Sequence, residues 1–398
     1  MTSMRIGVDA TCWTNRRGYG RFARSLLRAA LALDRSNHYV FFVDDEADEF
    51  PLPANVEVVR ITTAVPTVKA AAASGSRSLK DLWRSSRAFS AQKVDLFFFP
   101  SVYSYLPMLS GVPKLVTIHD VIPELFPELV FPTLRSRLFW HAKVKLGCAQ
   151  ARLILTVSDY SRRCLAEQLK ISPQRIRVVS EASDPAFRKL DAPRPTPLLE
   201  RLGLASSMRL LTYVGGFSPH KNLSLLLDVM RDLRARGGFD DVRLVFGGDY
   251  EGDVFYSCYR QLVGQVRQAG LQDRVVFTGY LRDADLLALL NLTQALLLPS
   301  FCEGFGLPAV EAAACGVPVI ATARSPLPEL LGEGAIILEP DDRAGWTNAV
   351  VAVLTDSWRR ENMRRAALAA ASRLSWENSA RQLLEIFDEV LRHRVPAA

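Results

Sequence analysis

Residues 303–316 read Glu303-Gly-Phe-Gly-Leu-Pro308-Ala-Val-Glu311-Ala-Ala-Ala-Cys-Gly316, just behind the apolar run Ala295–Leu298. Pro308 suits the first turn of a helix and Gly316 the residue past its end, so the block predicts a strand, a tight loop and a short helix. Gly304 and Gly306 allow backbone N–H groups to come close to a ligand. The unpaired N–H groups of a helix N-terminus attract anions. Glu303 in the loop and Glu311 about one turn into the helix place two carboxylates near that end, suited to sugar or ribose hydroxyls. Singly, each residue has a plainer reading: Glu311 can complement the helix dipole and the glycines can simply turn the chain. The combination points to a binding site.

Outward from this block the chain repeats one rhythm. Strands are expected at Arg209–Val214, Val242–Phe246, Val275–Phe277, Ala295–Leu298, Val317–Ala321 and Ala335–Leu338, with helices between them. The front half does the same at Met4–Asp9, Tyr39–Val43, Val56–Ile61, Asp95–Phe99, Lys114–Ile118, Leu153–Val157 and Ile176–Val179, with a clear helical pattern at Arg21–Leu33. Continuous apolar strands separated by helices predict parallel sheets covered on both faces. Residues 191–208 contain Pro193, Pro195 and Pro197 and read as a linker between two such bodies. Ligands of doubly wound sheets bind beyond the carboxyl ends of the strands.

Composition narrows the class. The 398 residues are 49% hydrophobic and 23% charged, enough for two sizeable cores and unlike a disordered or fibrous chain. No run of about 18 apolar residues suggests a spanning helix. The opening MTSMRIGVDA runs into a strand without a signal-peptide pattern, which makes the cytoplasm the expected location. The six cysteines are scattered without a C-x-x-C pair, and the five histidines without H-E-x-x-H, so neither a disulfide framework nor a structural metal is expected. Residues 1–190 carry 27 Lys/Arg against 17 Asp/Glu and residues 191–398 carry 22 against 25, which gives the net +7 and suggests different partners for the two halves.

The block at 303–316 resembles the E-x7-E signature of retaining glycosyltransferases of the GT-B fold, especially glycosyltransferase family 4. The resemblance covers nearly the whole chain. Tyr213-Val-Gly-Gly-Phe-Ser-Pro-His-Lys221-Asn resembles that family's phosphate loop, and Phe277-Thr-Gly-Tyr-Leu281 its nucleobase-side turn. Leu298–Pro308 followed by Gly316-Val-Pro-Val-Ile320 is the most specific match, and Thr117-Ile-His-Asp120 and Thr156–Ser161 fit the first domain.

The resemblance implies two doubly wound, Rossmann-like domains facing a cleft. The N-terminal acceptor-binding domain would span 1–190, the linker 191–208 and the nucleotide-sugar donor domain 209–375. A terminal helix, 376–398, would pack back on the first domain. The site would use His119, Glu303 and Lys221 as catalytic residues. Donor contacts would come from Gly18, Gly20, Gly215, Gly216, Lys221, Gly279, Tyr280, Leu281, Glu303, Phe305, Gly306, Leu307 and Glu311. Glu311 would bind the ribose and Lys221 the diphosphate leaving group. His119 would project toward the anomeric centre without acting as base. One departure stands out: where many relatives place an Arg as a second diphosphate cation, this chain has Gly216. No cofactor or metal is implied. The partners are a nucleotide sugar and a glycan or lipid-linked acceptor, with no nucleic acid. The Gly-Tyr-Gly-Arg stretch resembles mannosyltransferase-like members that build cell-envelope glycans.

Several motifs allow other readings. Gly18-Tyr-Gly20-Arg-Phe-Ala23, with Asp44 downstream, matches the G-x-G-x-x-A of a dinucleotide-dependent oxidoreductase, but it starts about eight residues late after its strand. A glycine-rich loop opening the helix Arg21–Leu33 is the preferred reading. Gly216 leaves room for a catalytically silent nucleotide-sugar-binding subunit. Asp283-Ala-Asp285 mimics a metal-binding D-x-D, yet a helix N-terminus explains it. Arg77, Lys80, Arg84 and Arg87 lie at helical spacing beside Leu79, Leu82, Trp83 and Phe89, the pattern of a basic helix lying on an anionic membrane or of an ordinary surface helix. Arg135, Arg137, Lys143 and Lys145 surround Phe139 and Trp140 in a similar way, a mixture that also suits nucleic acid, but no RRM, KH, zinc-finger or helix-turn-helix pattern accompanies it.

Overall fold

The computed structural model describes residues 3–15, 18–44, 55–62, 79–205, 207–250 and 256–392. Two compact units emerge: Met1–Glu181 with Trp376–Ala398, and Ala182–Ser375.

The first unit holds strands β1 (Arg5–Asp9), β2 (His38–Asp44), β3 (Val56–Ile61), β4 (Leu96–Phe99), β5 (Lys114–Thr117), β6 (Ala151–Thr156) and β7 (Ile176–Val178). They pair in the order β3-β2-β1-β4-β5-β6-β7, all in parallel. β4 shows why such a strand must be covered on both sides. Phe97 and Phe99 pack against Phe89 of helix Leu79–Ala91. Phe98, pointing to the opposite face, meets Phe387 of the terminal helix Trp376–Arg392. That helix buries Trp376, Ala380, Leu383, Phe387 and Val390, an apolar stripe at helical spacing, and packs along helix Gly18–Leu33. Arg177 grips Glu389 through two hydrogen bonds, 2.6 and 3.1 Å, and fixes the terminal helix to β7.

The second unit holds β8 (Arg209–Val214), β9 (Val242–Gly247), β10 (Val275–Gly279), β11 (Thr293–Leu298), β12 (Val319–Thr322) and β13 (Ala335–Leu338). Their order is β10-β9-β8-β11-β12-β13, again all parallel.

Two expectations shift. The stretch read as a linker, 191–208, carries helix Pro197–Arg201, capped by Thr196, and Leu199 and Leu204 are buried in the second core. The units divide at Glu181/Ala182 instead, and of the three prolines only Pro197 starts the helix, while Pro193 and Pro195 lie in irregular chain before it. Helix Gly18–Leu33 also begins earlier than Arg21. Tyr19 joins its buried stripe with Phe22, Ala23 and Leu26, so Gly18 and Gly20 form its first turn rather than a loop before it.

Candidate functional site

In the second unit three strand ends converge. β8 leads into Gly215, whose φ of +152° and crowded surroundings exclude a side chain: a Cβ there would stand 2.6 Å from the Tyr213 hydroxyl. That hydroxyl donates to the Gly216 carbonyl at 2.6 Å. Gly215 N–H reaches the Gly247 carbonyl, and Gly248 N–H reaches that of Gly279. A Cβ on Gly248 would lie 2.0 Å from the Gly215 oxygen, so these strand ends touch through bare backbone.

The turn Pro219–Lys221 ends at Asn222, held left-handed at φ +55° while its side-chain amide donates to the carbonyls of Pro299 and Pro340. The Phe301 N–H bonds to the His220 carbonyl. These contacts bring the loop after β8 onto the loop after β11. Lys221 Nζ then sits 2.8 Å from Glu303 Oε1, and the Ser300 hydroxyl donates to the same oxygen at 2.5 Å. Both side chains of the pair are mostly buried, 20% exposed for Lys221 and 10% for Glu303. The Glu303 N–H is itself tied to the Arg324 carbonyl. The loop then turns through Gly306 at φ +85°, packed beneath Leu327, into helix Leu307–Ala314. Pro308 lies in its first turn, and Glu311 is buried within it. Glu303, Lys221 and the helix N-terminus therefore lie together. The backbone fixes a cation, a carboxylate and a set of N–H groups in one place.

The other expected donor contacts divide. Tyr280 is 45% exposed just past Gly279, at φ +73°. Leu281, Phe305 and Leu307 are buried. Gly18 and Gly20 belong to the first unit. Gly20 packs on the Asn15 backbone, where a Cβ would fall 2.1 Å from its oxygen, and Asn15 hydrogen-bonds the Tyr19 hydroxyl. These are the marks of a helix packing position. The Asp283-Ala-Asp285 pair opens helix Asp283–Leu292, and Asp285 is buried, accepting from Thr196 Oγ1 at 2.7 Å. It anchors one helix to another. Among the described residues no group of His, Cys, Asp or Glu side chains gathers as metal ligands.

In the first unit His119 follows β5. Its carbonyl accepts from the Ser161 hydroxyl, and its ring meets Phe22 edge-on at 4.9 Å. Both ring nitrogens are buried without a hydrogen-bond partner among the described residues. Burial lowers its pKa to about 3, so the ring is neutral at pH 7. Glu124, in the helix Ile122–Leu125, was not apparent from sequence. Burial pushes its carboxyl up to about 7, helped by Asp120 and opposed by a 2.7 Å hydrogen bond from Trp140 Nε1. Arg84 and Arg87 are exposed, whereas Phe89 is core and Leu82 packs against it. The apolar side of that helix thus faces the sheet. Arg77 and the Lys80 side chain lie outside the described residues.

Two family models match the chain: Glycosyltransferase Family 4 over residues 22–187 and Glycosyl transferases group 1 over 198–370. The chain is 30% identical over 273 residues to O-antigen chain mannosyltransferase B of Escherichia coli, covering 68% of this chain and 69% of that protein. Seven further curated relatives are matched over between 32% and 61% of their own length. Sucrose-phosphate synthase from Thermosynechococcus elongatus superposes with a TM-score of 0.77 at 18% identity, covering 98% of this chain and all of that one. Anabaena HepE in complex with UDP and glucose superposes with a TM-score of 0.70 at 19% identity, covering 97% and 99%. Together with the two parallel sheets, these likenesses show the GT-B fold.

Proposed function

This chain belongs to the group 1 glycosyl transferases of glycosyltransferase family 4, and from that membership we propose that it is a retaining hexosyltransferase. The donor is a nucleoside diphosphate sugar. The acceptor is a hydroxyl of a glycan or a lipid-linked sugar, met at the cytoplasmic face of a membrane. Mannose leads among the sugars because a similar protein is an O-antigen chain mannosyltransferase.

The observation that carries this reading is the Lys221–Glu303 pair beside the N-terminus of helix Leu307–Ala314. Breaking the bond to the anomeric carbon leaves charge on the departing diphosphate. In this reading the Lys221 ammonium and the N–H groups of Gly306 and Leu307 stabilise that charge, and groups fixed in advance need little reorganisation during reaction. They supply the charge that a divalent ion provides elsewhere, which is why no metal is invoked. Lys221 is held in place by Glu303 before the donor arrives. Both of Glu303's contacts use Oε1, leaving Oε2 for a sugar hydroxyl. Glu311 takes the ribose. Gly216, in place of an arginine, leaves Lys221 as the main cation at this strand end. His119 contributes a neutral ring, and the acceptor proton passes to the leaving phosphate.

The test is turnover in EDTA with a panel of GDP- and UDP-sugars, with the product's anomeric configuration read by NMR. One donor class consumed with retained configuration is the expected result. An inverted product, or activity only with added Mg2+ or Mn2+, overturns the proposal. Nucleotide binding without turnover on any acceptor identifies a silent binding subunit instead.

A further inference from the structure

Helix Leu134–Gln150 contains Arg135, Arg137, Lys143 and Lys145 and no acidic residue. A Thr133–Ser136 capping box sets its start. Its inner side is fixed: Trp140, Val144 and Gly147 are buried, Trp140 donates to Glu124, and Lys143 donates to the Tyr103 carbonyl. The rotation this imposes turns Leu134, Leu138, Phe139 and Leu146 outward, at 70%, 60%, 50% and 41% exposed. Arg135, Arg137 and Lys145 are exposed among them. Single exposed apolar residues are ordinary, but four on one helix form a patch.

The patch continues across this side of the sheet. Helix Leu79–Ala91 packs on the same core as Trp140, through Phe89, Phe97 and Phe99, and shows Trp83 outward at 58% exposure with Arg87 above its ring. Between the two helices lies Leu109, 86% exposed, on a loop tied to one by Ser86 and to the other by Gln150. The adjoining helix Pro127–Val130 adds one exposed carboxylate, Glu128. A protein partner of mixed charge would leave the run of cations uncompensated. A surface with apolar depth and a dense layer of negative charge matches both features.

We propose that the first unit docks on an anionic phospholipid bilayer through this face. Leu134, Leu138 and Phe139 enter the interfacial layer, and Arg135, Arg137 and Lys145 contact headgroup phosphates. Helix Leu134–Gln150 makes the main contact, and helix Leu79–Ala91 contributes its edge through Trp83, Arg84 and Arg87. This deepens the proposed function and rests on it for a lipid-linked acceptor, but the docking itself is tested separately.

The test is flotation of the full chain with vesicles of phosphatidylglycerol and phosphatidylcholine, against pure phosphatidylcholine, at low and high salt. The chain should float with the anionic vesicles and be released by salt. Leu138→Glu with Phe139→Glu should raise the lipid needed for half-binding at least tenfold, and Arg135→Glu with Arg137→Glu should do the same. Trp358→Ser, at a 76% exposed site in the second unit, should float like the parent. Unchanged melting and nucleotide affinity would show the variants are folded. A parent chain that stays in the buffer, binds neutral vesicles equally, or floats undiminished in both paired variants overturns the proposal. Self-association lost in Leu138→Glu, without vesicle binding, assigns the face to a second copy and also overturns it. Failure here would leave transfer to a soluble acceptor intact, and failure of the transfer assay would leave flotation intact.

Discussion

The two units place polar side chains at their strand ends in opposite ways. In the second unit Lys221 and Glu303 are charged, and each neutralises the other at 2.8 Å. In the first, the ring nitrogens of His119 are buried beside Phe22 without a hydrogen-bond partner among the described residues, and half-buried Glu124 accepts one strong hydrogen bond from Trp140. Here burial wins and favours the neutral forms. The contrast fits the proposed roles: a diphosphate site would keep its charge ready, and a hydroxyl site would exclude it.

Four experiments break or sharpen this contrast. Lys221→Ala leaves Glu303 mostly buried with only Ser300, and should lower kcat/KM by about 10²–10³-fold, or about 3–4 kcal/mol. Adding Glu303→Gln to it should cost less than Glu303→Gln alone, as a double-mutant cycle would reveal; additive losses would mean the pair does not act as a unit. His119 gives the next largest effect. Its pKa falls from 6.5 to about 3 on folding, so its contribution is complete above pH 6.5 and lost as pH drops toward 3. Between pH 6.5 and 4 this amounts to about 3 kcal/mol. Chemical denaturation of His119→Asn should show a flatter acid limb than the parent, and an unchanged limb would refute the burial argument. Glu124 has the opposite sign. Its pKa rises from 4.5 to about 7, so stability is complete below pH 4.5 and is lost as pH climbs through 7. Glu124→Gln, which still accepts from Trp140, should be more stable than the parent at pH 8 by on the order of 2 kcal/mol and equal to it at pH 4. Smallest is Glu311→Ala, for which calorimetry should show nucleotide affinity lower by about tenfold, the loss of one hydrogen bond to a charged group. Unchanged affinity in a folded variant would remove Glu311 from the site.

The second unit's features were more legible in sequence than the first's. Strand ends, glycines and a Pro-started helix fall within one short stretch around Glu303, and local chemistry dictates that geometry. The strands of both sheets were equally readable because each is a continuous apolar run. Other features depend on distant contacts. The Lys221–Glu303 pair forms only because the loops after β8 and β11 meet, through Asn222 and His220. Gly248 is an ordinary glycine until it lies against Gly215. Glu124 looks like any helix-start acid, since its raised proton affinity comes from burial in the folded chain, aided by Asp120 and exceeding the opposing hydrogen bond from Trp140, sixteen residues away. The Pro-rich 191–208 misled because proline marks extended chain and helix starts alike, and only the burial of Leu199 and Leu204 decides between them.

The terminal helix has a consequence for biosynthesis. The first unit is completed by Trp376–Arg392, but the whole of Ala182–Ser375 is translated in between. At about 5–20 residues per second the ribosome spends roughly ten to forty seconds on that insertion. Throughout, the apolar stripe of helix Gly18–Leu33 and the Phe98 face of β4 wait without their cover. The second unit has no such delay, since all of its strands and their helices are contiguous in the chain. The half of the enzyme made first is therefore the half finished last, and its open face is where a nascent-chain chaperone has most to protect.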